Sequence, residues 1–196
     1  MKTGLIIAGV IITFLIAIRL FVSSQREDTE TCPYSVVKEY DDFEVRIYDA
    51  NLFTSVQLPY KEYSKAGGLG FRIISTYISG ENEKDELIEM TIPVMMALED
   101  SITVMMMIPK EKKGKSLPKP DDSQIKFIEV PSKTVAAITF NHRASDDEIR
   151  LYKQKLIDAL EEEKIAYTDH FYFFAYNSPL DLFNRRNEVV VELAGR

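Results

Sequence analysis

The chain has 196 residues, 45% of them apolar and 28% charged, with a net charge of −7, one cysteine and two histidines. That is enough apolar material for one domain with a real core. It excludes an intrachain disulfide, leaves little from which to build a structural zinc site, and offers no basic footprint for nucleic acid.

Residues 4–18, GLIIAGVIITFLIAI, carry no charge. With residues 19–22 the run reaches about 18–19 residues, or roughly 27 Å as a helix, the thickness of a hydrocarbon core. Residues 1–22 therefore read as an N-terminal transmembrane anchor, with a cleaved signal peptide as the alternative. Lys2 before the run and Glu27, Asp28 and Glu30 after it favour a single-pass topology with the folded part on the extracytoplasmic side. Residues 23–32, polar and small, read as a linker, and the domain occupies 33–196.

Within the domain, 43–48 (FEVRIY) and 52–58 (LFTSVQL) alternate as two strands about a turn at 49–51. Residues 60–78 repeat apolar positions at the helical period, and 89–98 and 101–108 follow as strands. The order ββαββ then recurs: strands at 124–130 and 134–140, a helix over 146–163, and strands at 170–176 and 188–193. Shifting VRIYDANLFTSVQL by 82 residues lays it on FIEVPSKTVAAITF, the mark of an internal duplication. Ser145 and Glu148 form a capping box for the second helix. The fold class is α+β, with eight antiparallel strands in a distorted barrel flanked by two helices and preceded by the transmembrane helix.

Six of the seven methionines fall in MTIPVMMALEDSITVMMMIP, 90–109. Along 101–108 the period of two sends Ile102, Val104 and Met106 one way and Thr103, Met105 and Met107 the other, so this strand is covered on both faces. Adjacent methionines diverge on a strand, which argues for adaptable packing over a thioether metal box. In the first helix, Gly67, Gly68 and Gly70 lower helix stability by roughly 1 kcal/mol each relative to alanine. A helix that keeps them gains close approach by a backbone or a flat ligand, and Phe71 and Ile78 lie off the core stripe beside Gly67, marking a candidate apolar groove. His142, His170 and the run Glu161-Glu162-Glu163 have no catalytic setting, so a non-enzymatic domain is expected.

Five motifs, FEVRIYDANLFTSV (43–56), TYISGEN (76–82), MTIPV (90–94), VMMMIP followed by LPKPDD (104–122) and NRRNEVVVEL (184–193), resemble the SOUL haem-binding protein family in its own order. The resemblance implies a barrel of duplicated ββαββ halves, similar to the small-molecule-binding domains of gyrase-inhibitor-like regulators. It also implies non-covalent binding of haem or another flat tetrapyrrole in a groove between the first helix and the loop before the last strand. The implied site residues are Gly68, Phe71, Arg72, Ser75, Thr76, Tyr176, Phe183 and Arg185. The histidine proposed as axial ligand in some members falls at Ile47, and the helix basic residues fall at Gly68 and Thr76. Arg72, Arg185 and Arg186 then remain as propionate partners, and Tyr176, His170 or a methionine as iron ligands, so the metal ligand stays unknown. The expected function is a membrane-anchored tetrapyrrole-binding protein with no nucleic-acid partner. The alternatives are a haem-free scaffold or interaction domain, and a hydrolase using Glu89 or Glu188.

Overall fold

The computed structural model describes residues 29–177 and 185–195. Nine strands and two helices follow in chain order: β1 (Tyr34–Glu39), β2 (Glu44–Tyr48), β3 (Asn51–Gln57), α1 (Tyr63–Ile78), β4 (Val94–Ala97), β5 (Thr103–Met107), β6 (Lys126–Val130), β7 (Lys133–Phe140), α2 (Asp146–Glu162), β8 (Tyr167–Ala175) and β9 (Asn187–Leu193). All nine strands lie in one sheet, ordered β1-β2-β7-β9-β8-β4-β5-β3-β6, with neighbours antiparallel.

The duplication is written into that order. Leaving β1 aside, exchanging each strand of the first half with its counterpart in the second, β2 for β6 through β5 for β9, returns the same order read backwards. The pseudo-twofold therefore passes between β8 and β4. The halves interleave, because β2 pairs with β7 and β3 with β6.

The sequence leads to eight strands in a barrel, whereas the structure has nine in a half-barrel. The extra strand, β1, adds outside β2 and breaks the symmetry. All its residues after Tyr34 are exposed, as expected of an edge strand. The predicted strand at 89–98 shortens to Val94–Ala97. Before it, Thr91 is held as a buried loop residue whose hydroxyl donates to the Met107 carbonyl at 2.7 Å.

The expectation of a single-pass membrane protein is also corrected. Residues 4–22, on which it rested, lie outside the described residues, and among those described no helix is long and apolar enough to cross a membrane.

Two apolar clusters occupy the two faces of the sheet. On the helix face, α1 packs on β3 and β5 and α2 on β7, β8 and β9, around a core that includes Val56, Ile74, Ile102, Val104, Met106, Leu156, Leu160 and Phe173. Gly70 makes the first contact possible, since a Cβ there would stand 2.4 Å from Cγ2 of Val104. Ile78, expected beside the groove, instead belongs to this core. The helix-free face carries Tyr48, Phe53, Met95, Met105, Met107, Phe174 and Val190, together with Cys32. The backbone N–H of Cys32 donates to the Ile92 carbonyl at 2.8 Å.

Candidate functional site

A groove of about 540 Å³ opens on the helix face. Its floor comes from Val94 and Met96 of β4, Ala175 of β8 and Asn187 of β9. One wall is the N-terminal half of α1, presenting Tyr63, Gly67, Gly68 and Phe71, and the other is the turn into α2, Arg143 to Asp146. Met90, Ile92, Tyr176, Asn177 and Arg185 complete the edge.

Local chemistry fixes both walls. Ser145 Oγ accepts from the Glu148 backbone N–H at 3.2 Å and so caps α2. The first residues of α1 are capped from the other helix: Asp146 accepts from the backbone N–H of Tyr63 at 2.6 Å and of Ser64 at 3.3 Å. One carboxylate thus ties the two walls together and satisfies donors that the N-cap residue Glu62 leaves unmet by any side chain. The glycines differ in purpose. A Cβ at Gly67 would stand 2.8 Å from the Tyr63 ring and 3.3 Å from Cε of Met96, whereas at Gly68 it would meet nothing within 4 Å.

Of the residues implied by the family resemblance, Gly68, Phe71, Tyr176 and Arg185 come together in this groove. Phe183 lies outside the described residues. Arg72, Ser75 and Thr76 do not line it: Arg72 is exposed, Ser75 is half-buried, and the Thr76 hydroxyl donates to the Ile73 carbonyl of its own helix at 2.8 Å. Arg143 is the residue that sequence reasoning missed. It lies beside His142 in a polar turn with no periodic signal, and only the fold carries it to the groove. Burial raises the Tyr63 phenol pKa, and the charges of Arg185 and Arg143, which line the same groove, oppose that rise.

Behind the groove edge sits a buried ionic cluster. Glu188 has no exposed surface, and its carboxylate accepts from Arg46 at 2.9 and 3.2 Å, from Arg186 at 2.7 and 2.9 Å and from the Tyr176 hydroxyl at 2.9 Å. Arg186 also donates to the Tyr34 hydroxyl at 2.9 Å. Burial would raise the pKa of Glu188, but Arg46 and then Arg186 outweigh it and hold the group below the usual carboxylate range. Glu188, the acid named for the hydrolase alternative, is thus a buried anion whose acceptor sites are occupied by two arginines and a tyrosine. Arg186, named above as a propionate partner, is committed to this anion.

The donor set also bears on iron. Burial, then the neighbouring negative charge of Glu188, pushes the Tyr176 phenol far above its ordinary value, so it stays protonated and donating. His170 sits near the other end of β8, with Nδ1 3.3 Å from Glu99. Among the described residues, the groove-lining side chains include the thioethers of Met90 and Met96 and neither a histidine nor a cysteine.

Comparison with known proteins places these observations. The SOUL heme-binding protein family matches residues 29–192. Among curated relatives, "Heme-binding protein 2" of Homo sapiens is 30% identical over 156 residues, covering 75% of this chain and 76% of its own. "Heme-binding protein 1" of Mus musculus is 29% identical over 173 residues, covering 82% and 90%. Among solved structures, the EcmrR C-terminal domain superposes with a TM-score of 0.60 at 11% identity, over 83% of this chain and 99% of that one, a likeness of fold.

Proposed function

The chain belongs to the SOUL haem-binding protein family, and from that premise we propose that it binds haem or a related tetrapyrrole non-covalently in the groove between α1 and the turn into α2. The observation that carries the proposal is the pairing of an apolar floor with two arginines at the edge of one groove, Val94, Met96 and Ala175 below and Arg143 and Arg185 beside. A flat apolar macrocycle with two carboxylates needs both, because guanidinium groups pair with carboxylates in a fixed, bidentate geometry. Phe71 and the bare backbone at Gly68 offer the macrocycle a face along α1. When bound, haem would supply an iron able to exchange electrons and small ligands.

Apolar contact and carboxylate pairing carry the affinity in this reading. The position of the histidine proposed as axial ligand in some family members is held by Ile47, an exposed residue of β2 that does not line the groove, and the Tyr176 hydroxyl is engaged by Glu188.

Titrating the full chain with haemin tests the proposal. A saturable Soret shift at one equivalent is expected, and its absence would overturn the reading. Phe71→Asp should weaken haemin at least about tenfold, equivalent to about 1.4 kcal/mol. Arg143→Ala combined with Arg185→Ala should weaken haemin more than an esterified haemin lacking free carboxylates. Equal losses for the two would remove the arginines from the site.

A further inference from the structure

A second cavity, of about 260 Å³, lies on the helix-free face. Tyr48 of β2 and Ile128 and Val130 of β6, from nearly opposite ends of the strand order, line this one space, so the sheet curls around it and the helix-free face is concave. The cavity backs onto the groove without sharing its lining. On β4, Met95 and Ala97 face the cavity while Val94 and Met96 face the groove, and on β8 Phe174 and Ala175 divide the same way. Side-chain alternation along a strand makes them separate sites with a wall one strand thick.

The interior is apolar and aromatic. Tyr48 meets Phe174 edge-on at 5.9 Å between ring centroids, and Phe174 lies 6.2 Å from Tyr172, giving a belt of three rings. Met95 and Met105 add polarizable thioethers that adapt to a guest's shape. The lining charges are Asp49, Glu99 and Lys133. Lys133 is neutralised by Glu192, which also accepts from the Tyr172 hydroxyl. Asp49 and Glu99 are exposed, Glu99 with His170 Nδ1 at 3.3 Å, and with Lys133 matched by Glu192 the formal charge at the opening is acidic.

A dry apolar cavity of about 150 Å³ accommodates benzene. The space here is larger than that and less than half the volume of the tetrapyrrole-sized groove. We propose that the concave cavity is a second ligand site, for a compact organic cation of one or two rings whose apolar body lies against Tyr48, Phe174 and Tyr172 and whose positive end faces Asp49 and Glu99. Ring faces attract a desolvated cation, and the rim carboxylates add a longer-range preference for positive over negative guests.

Calorimetric titration of the full chain with benzyltrimethylammonium, its uncharged isostere neopentylbenzene, and phenylacetate tests this. Benzyltrimethylammonium should bind at one equivalent, neopentylbenzene several-fold more weakly, and phenylacetate not detectably. Ala97→Phe, which places a ring in the cavity, should abolish cation binding and leave the haemin titration unchanged. Should that variant fail to fold, Asp49→Asn, at an exposed position, should still weaken the cation several-fold without changing neopentylbenzene. Equal binding of cation and anion, or displacement of benzyltrimethylammonium by one equivalent of haemin, would overturn the proposal. The two readings fail separately, because the cavity uses none of the groove's residues.

Discussion

The two faces of β4, β8 and β9 are built from alternate residues of the same strands, yet they differ in kind. The helix face carries a wide groove with arginines at its edge, closed by α1 and the turn into α2. The concave face carries a narrower aromatic cavity with carboxylates at its rim, and beside it the buried Arg46–Glu188–Arg186 cluster. What divides them is a single step along the chain: Met95 belongs to one and Met96 to the other. The methionine-rich stretch supplies adaptable apolar surface to two spaces at once, which explains its abundance without any metal. The faces meet through the buried cluster: Tyr176 from the groove edge donates to Glu188 at 2.9 Å, and Arg46, paired with the same carboxylate, donates to the hydroxyl of Tyr48 from the cavity lining at 3.5 Å.

The largest break in this arrangement should come from Glu188→Ala. It leaves Arg46 buried and Arg186 half-buried without their shared anion, and removing one partner of a buried ion pair costs about 3–5 kcal/mol. Urea denaturation should register a loss of that size. A loss under about 1 kcal/mol, the range of an exposed pair, would mean that water reaches the cluster.

The pH dependence sharpens the same point. Glu188 has a lowered pKa, burial being outweighed by Arg46 and Arg186, and so does Glu192, where Lys133 and Tyr172 outweigh burial. Their stabilisation is present above the ordinary glutamate value of about 4.3 and is lost as pH falls through and below it. Tyr48 has the opposite sign: burial, then the charge of Glu188, pushes its pKa up to about 12. Stability should therefore hold up to the ordinary tyrosine pKa of about 10 and fall between there and the folded value. Denaturation midpoints across pH, with tyrosinate absorbance as a second reading, would check both limbs.

Smaller effects separate the helix face into packed and open parts. Gly70→Ala drives a Cβ into Val104 of β5 and should cost about 1–3 kcal/mol, as overpacking does. Gly68→Ala meets nothing and should stabilise α1 by up to about 1 kcal/mol. Thermal melts of the two variants should move in opposite directions, and a shared direction would show that α1 does not seat on β5 as described.

Much of this was legible because it depends on periodicity. Alternation along 101–108 is enough to send Met105 and Met106 to opposite faces, and the helical period with its capping serine places α2. The repeat could be read from turn positions alone, and it reappears as the mirror order of the strands. Other parts depend on contacts that leave no local trace. Nothing in YSVVKE distinguishes an added edge strand from a linker, because β1 has no buried stripe to set a period. Arg46 and Glu188 are separated by 142 residues, and each looks like an ordinary strand charge until the fold brings them within 2.9 Å. Arg143 reaches the groove for the same reason, and Arg72 fails to reach it although its helix does.

The strand order also constrains how the chain can acquire its shape in time. Strands β1 and β2 are separated in the sheet from β4, β5 and β3 by β7, β9 and β8, all from the second half. As the chain leaves a ribosome, the first half can assemble a β1–β2 hairpin and a β4–β5–β3 ribbon, but no continuous sheet joins them until strands ending at Leu193 have inserted. Non-local pairing of this kind slows folding and leaves strand edges open meanwhile. The exposed, charge-bearing β1 then matters before the native state exists: it covers one side of β2 through the interval in which β7 has yet to be made.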